Sequence, residues 1–156
     1  ESGQYQKVEL RPSAPATGPP QGQSPPAHGG IEWIEVGEVS NVAERVRAEL
    51  TRAQREKKRL IVYVGALWCE PCERFLKASK TEDFGQEFAS VRFLKFDLDK
   101  HASALGRAGY DSQYIPLFVL PNKDGRASEK RSVGSKQGQA AVAYLKERVL
   151  PLLKTP

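Results

Sequence analysis

Two cysteines, Cys69 and Cys72, are the only ones in the 156-residue chain, and they stand two residues apart in Trp68-Cys69-Glu70-Pro71-Cys72. A short apolar, β-branched run from Leu60 to Val64 precedes them, and a helix-compatible segment from Glu73 to Lys80 follows. A thiol at the first turn of a helix sits where backbone N–H groups point outward and favour an anion. The thiolate is the reactive form, so this placement activates Cys69. Cys72, one turn further in, lies close enough to close a disulfide with it. Strand, pair and helix together point to a dithiol/disulfide redox site. Two cysteines are too few to staple a small fold, and a domain of this size needs no staple.

Zinc binding is the competing chemistry, but zinc takes four ligands and only one cysteine pair exists. His28 falls in a Pro-rich stretch, and His101 falls near a loop or helix start, where it reads as an ordinary exposed side chain. No metal or other cofactor is expected. The net charge of +5 gathers in a basic stretch that includes Arg45, Arg52, Lys58 and Arg59. Glu44, Glu49 and Glu56 interleave with these and no aromatic residue accompanies them. The stretch therefore reads as a solvated helix face and not as a nucleic-acid patch.

The elements that must hold the pair follow from the order of patterns along the chain. Residues 1–30 carry six of the eleven prolines and almost no large apolar side chains. Such a segment cannot bury enough surface to offset its ordering entropy, so a disordered Pro/Gly-rich linker or tail is expected. It would serve as a tether from a removed membrane anchor, or be a secreted tail or a remnant of a longer protein. The chain has no methionine and begins at Glu1, so the natural start is expected to have been removed. No run approaches the ~18 apolar residues of a membrane span.

The folded part is expected over residues 31–156. A short strand covers Ile31 to Val36. Asn41 with Glu44 forms a capping-box pattern, and Val42, Val46, Leu50 and Ala53 recur at helical spacing to about Lys57. Leu60 to Gly65 reads as a strand buried on both faces. After the helix that follows the pair come a short helical piece at Glu82 to Ala89 and a strand at Val91 to Leu98. A helix around Leu105, a strand at Ile115 to Leu120 and a turn at Asn122 to Gly125 come next. A strand at Glu129 to Val133 and a helix at about Lys136 to Leu150 complete the chain. The order β-α-β-α-β-α-β-β-α predicts an α/β fold, a central mixed sheet with helices on both faces.

That order, with Trp68 and the cysteine pair after the second strand, resembles a thioredoxin over roughly residues 33–150. Ile115-Pro116 resembles the family's cis-proline pair, and Val133-Gly134-Ser135 resembles the glycine before its final helix. Glu70-Pro71 between the cysteines is similar to that of extracytoplasmic reducing members. The resemblance implies a thioredoxin fold and thiol–disulfide exchange on protein substrates, with Cys69 attacking and Cys72 resolving, more as a reductant than as an oxidant. It implies a protein disulfide or dithiol substrate and a redox-recharging partner protein, a monomer, and an extracytoplasmic location, periplasmic or membrane-anchored. Trp68, Ile115, Pro116 and Gly134 would frame the substrate, with Trp68 covering the pair; Glu70, Pro71, Tyr63 and Lys95 would tune the thiols. One position departs from the family. Thioredoxins bury an aspartate six residues before the first cysteine, and here that residue is Tyr63, next to which Lys95 has lost its usual partner. Resolution of mixed disulfides is expected to be slower as a result. The alternative reading is a thioredoxin-fold binding or scaffold module whose disulfide is weakly active or structural.

Overall fold

A computed structural model describes residues 31–154; the expected Pro-rich segment and His28 lie outside the described residues. The elements are β1 (Glu32–Glu35), α1 (Val42–Arg55), β2 (Arg59–Gly65), α2 (Glu70–Thr81), a 3-10 turn (Gln86–Phe88), β3 (Val91–Asp97), α3 (Leu98–Arg107), β4 (Leu117–Pro121), β5 (Ala127–Val133) and α4 (Ala140–Leu153). They form one five-stranded sheet in the order β1-β3-β2-β4-β5. The β1–β3 and β2–β3 pairs are parallel, whereas β2–β4 and β4–β5 are antiparallel. This is the mixed sheet expected from the sequence.

β2 sits in the middle, and its side chains alternate between two cores as strand geometry requires. Leu60, Val62 and Val64 pack with Val42, Val46 and Leu105 under α1 and α3. Ile61 and Tyr63 pack on the other face with Phe75, Phe93 and Leu145 under α2 and α4. Both cysteines belong to that second core. Trp33 stiffens it: its ring stacks on Phe93 at 4.5 Å between centroids, and its Nε1 donates to Ser79 Oγ at 2.7 Å.

Several boundaries differ from the sequence reading. α2 begins at Glu70 and not Glu73, because Pro71 fits the first turn of a helix and Cys69 supplies the cap. The piece at Glu82 to Ala89 contracts to one 3-10 turn seated by Phe88. α4 starts at Ala140, after a positive-φ glycine at Gly138. His101 is buried and not exposed: its Nδ1 accepts from Asp97 N–H at 3.2 Å and its Nε2 meets Gly37 O at 2.7 Å.

The basic stretch of α1 is only partly a solvated face. Glu49 is fully buried, and Arg92 at the start of β3 is 2% exposed. The Arg92 guanidinium donates to Glu49 at 2.8 Å, to Glu32 at 3.1 Å and, very closely, to Glu56. Arg45 and Arg52 also donate to Glu49, at 3.1 and 3.0 Å. The cluster ties β1, α1 and β3 together.

Removing one member of a buried ionic group leaves its partners uncompensated, at a cost of about 3–5 kcal/mol. Arg92→Met is therefore expected to lower the urea-unfolding free energy by about 3 kcal/mol; a change within about 1 kcal/mol would mean that apolar packing serves as well there. The hydrogen bond from Arg92 holds the Glu56 carboxyl below its ordinary value of 4.5. Its contribution is fully present above that pH and is lost as pH falls through the folded-state value. Glu56→Gln is expected to flatten the acid side of the stability–pH curve, read from urea midpoints at successive pH values.

Candidate functional site

β2 ends at Gly65, and the chain turns through Ala66 to Trp68 into α2. Cys69 N–H donates to Ala66 O at 3.2 Å, and Cys69 takes the extended backbone of a helix N-cap. Its Sγ accepts from Cys72 N–H at 3.3 Å. The two cysteines are joined in a disulfide, with their Cα atoms 5.2 Å apart. They are 5% and 3% exposed, so only an edge of the bond reaches solvent. The sulfur thus occupies the position where a helix end stabilises negative charge, as the sequence anticipates.

Glu70 lies between the thiols, but its side chain turns away from them. Oε1 accepts from Gly138 N–H at 2.9 Å, across 68 residues, and Oε2 lies 3.4 Å from Arg74 Nε. The Gly138 hydrogen bond, aided by Arg74, holds the Glu70 carboxyl below the usual carboxylate range. It stays ionised and fastens the motif to the loop before α4.

Trp68 does not cover the pair as a buried lid. It is 66% exposed, and its Nε1 donates to Asp99 Oδ2 at 2.9 Å in the first turn of α3. Leu67 and Tyr114 are the other large apolar side chains left open on the described surface. The Ile115–Pro116 peptide is cis. Gly134 N–H donates to Pro116 O at 3.0 Å, and Gly134 has φ +78°. A Cβ there would stand 3.1 Å from Tyr114 Cβ, so glycine meets both the backbone and the space requirement. Trp68, Cys69, Glu70, Tyr114, Ile115 and Gly134 line one open groove of about 320 Å³. The structure brings together the sequence-predicted Cys69, Glu70, Pro71, Trp68, Ile115 and Gly134 around this groove.

Tyr63 and Lys95 lie elsewhere, on the far side of Cys72. They are register partners on β2 and β3, and they line a second, smaller cavity of about 80 Å³ with Cys72, Leu67, Glu73 and Asp97. Burial pushes the Tyr63 phenol above its ordinary value, so it cannot act as a base near neutral pH. Lys95 pairs with the exposed Glu35 at 3.7 Å. Sequence reading did not single out Glu73, Asp97 or Asp99. Parallel pairing of Gly65 with Asp97 is what brings the last two to the site, and no local pattern signals it.

Gly65 has no room for a side chain. A Cβ there would stand 2.6 Å from Tyr63 Oη and 2.9 Å from two ring carbons. Among the described residues, no group of three or more His, Cys, Asp or Glu side chains could hold a metal ion.

A mixed sheet of this order, with a disulfide at the first turn of the helix after its central strand, defines a thioredoxin-fold module. A family model described as Thioredoxin matches residues 41–147, and the chain belongs to that family. A thioredoxin of Aspergillus fumigatus is 36% identical over 75 residues, 48% of this chain and 65% of that protein. An H-type thioredoxin of Oryza sativa subsp. indica is 31% identical over 83 residues, 53% of this chain and 64% of that protein. The chain thus spans just under two thirds of the length of these relatives. The crystal structure of a wild-type thioredoxin h from poplar aligns with a TM-score of 0.49 at 21% identity, covering 81% of this chain and 99% of the other. The expected extracytoplasmic, periplasmic or membrane-anchored location is contradicted: the curated relatives this chain matches are named as thioredoxins. Among the described residues, no helix is long and apolar enough to cross a membrane.

Overpacking a tight core contact costs about 1–3 kcal/mol. Gly65→Ala is expected to destabilise the fold by that amount in urea unfolding. Combined with Tyr63→Leu, the cost should shrink, giving a non-zero coupling in the double-mutant cycle. Additive costs would show that the contact is not the cause.

Proposed function

We propose that this chain is a thioredoxin-fold module that lays an extended protein segment across the Cys69–Cys72 disulfide and exchanges thiols with it slowly. The observation that carries the reading is Tyr63: a buried, neutral phenol stands where the family places a carboxylate to take the proton of the resolving thiol. This favours the weakly active module over a fast general reductase.

The binding half of the proposal rests on the groove. Trp68 and Tyr114 give it an apolar rim. Ile115 lines the groove with Cys69, so the backbone before β4 is where a substrate strand could pair.

The exchange half runs through the two sulfurs. In the reduced protein, the Cys69 thiolate attacks a substrate disulfide, forming a mixed disulfide and expelling one substrate thiolate. Cys72, once deprotonated, attacks Cys69 Sγ; the Cys69–substrate bond breaks, its electron pair leaves on the second substrate sulfur, and the protein becomes the disulfide. A partner dithiol must then reduce the pair again. The ionised Glu70 opposes the Cys69 thiolate and so does not favour the reduced form, the property that makes strong oxidants. Reduction of substrates is therefore the proposed direction.

In an insulin-reduction assay, the reduced protein is expected to show slow turnover and the Cys69→Ser variant none; equal behaviour of the two would leave only a binding module with a structural disulfide. Tyr63→Asp is expected to speed mixed-disulfide decay by on the order of tenfold or more. Unchanged decay would remove the explanation offered for the slow step.

A further inference from the structure

The cavity behind Cys72 contains a polar group that nothing in the fold uses. Tyr63 is 1% exposed, and its Oη points over Gly65 into the wall of this cavity. The other fully buried tyrosine, Tyr110, donates its hydroxyl to Gly125 O at 2.7 Å. Among the described residues the Tyr63 hydroxyl has no such protein partner, nor is it sealed away from all water-sized space as Ser132 Oγ is. The site is both polar and roomy. Its volume of about 80 Å³ exceeds the ~10–15 Å³ that one water requires. Lys95, Asp97 and Glu73 line it, as does Cys72. Asp97 accepts from Asp99 N–H through Oδ1 at 2.8 Å, which leaves Oδ2 for other donors.

We propose that Tyr63 is a neutral proton relay for Cys72: its hydroxyl and water in this cavity carry the Cys72 proton to the carboxylates of Asp97 and Glu73 at the mouth. The inference rests on the exchange reading above and names the route by which its slow step proceeds. A hydroxyl donates one hydrogen and accepts through two lone pairs, so it can take a proton on one side while releasing its own on the other. The phenol is unchanged after each passage. Cys72 S–H gives its proton to the adjacent water, that water passes one to Tyr63 Oη, and the Tyr63 proton moves through water to a carboxylate and then to solvent. The Cys72 thiolate left behind attacks Cys69 Sγ, and the electron pair of the broken bond leaves on the substrate sulfur. Burial keeps the phenol protonated, which suits a relay and excludes a base.

The test uses the full reduced chain and dithiobisnitrobenzoate, whose coloured thiolate leaves once when Cys69 attacks and again when Cys72 resolves the mixed disulfide. Stopped-flow traces across pH separate the two releases. Tyr63→Phe keeps the ring and removes only the hydroxyl. It is expected to slow the second release by at least about tenfold near neutral pH and to leave the first unchanged. The second release should then rise only towards the ordinary thiol range, near pH ~8.5, a shift that a merely structural role would not produce. Identical second-release profiles for parent and Tyr63→Phe overturn the relay while leaving exchange intact. A parent that gives the first release and never the second overturns the exchange reading itself. A Tyr63→Phe effect equal on both releases overturns the relay in favour of a general distortion of the site.

Discussion

The pleat of β2 decides what can stand beneath the disulfide. A strand buried on both faces sends alternate side chains to opposite cores, and Tyr63 falls on the side that α2 and α4 cover. The cysteines enter the same core because Gly65 ends the strand and the chain turns at once into α2. Tyr63 and Cys72 are therefore committed to one neighbourhood by strand parity and loop length together. The phenol is large, so the residue two positions on must be glycine. It is buried, so it stays neutral. The small cavity, the unsupported hydroxyl and the missing carboxylate all descend from that single placement.

The opposite end of the parallel strands is built on a different principle. There Arg92 of β3 draws Glu32 of β1, Glu49 of α1 and Glu56 at the C-terminal cap of α1 into one ionic cluster. Such a group adds little over apolar packing when complete and costs much when broken, so it fixes the seating of α1 more than it deepens stability. The site end carries no comparable charge cluster among the described residues. Its connections are single hydrogen bonds: Trp68 to Asp99, Gly138 to Glu70, Gly134 to Pro116. Each of these joins residues far apart in sequence, so the groove depends on the sheet being assembled first.

Much of this was legible in the chain. The apolar run of β2, the helical spacing of α1 and the cysteine pair all express local periodicity or local spacing, which a single sequence carries. The start of α2 was missed by a turn because Glu70 and Pro71 look like loop residues until Cys69 is seen to cap them. His101 and Glu49 were placed in solvent because polar residues on a helix usually face it; here each has long-range partners that only the parallel pairing of β1 with β3 supplies. Asp97 and Asp99 were passed over for the same reason. The hydrogen bond from the Trp68 indole to Asp99 has no signal in the sequence. For His101, Glu49 and Trp68 the deciding partner lies at least 31 residues away, beyond the reach of a local window of sequence.

The contact between Tyr63 and Gly65 also orders history. With tyrosine in place, a larger residue at position 65 carries a packing cost, since even a methyl carbon would press on the phenol. A route from a side chain at 65 to a ring at 63 is least costly if the side chain is lost first or at the same time. A return to an acidic residue at 63 has no such prerequisite, because it only vacates space. The two positions form a ratchet that is easier to turn one way than the other, and lineages of this fold should show glycine at the second position wherever an aromatic ring occupies the first.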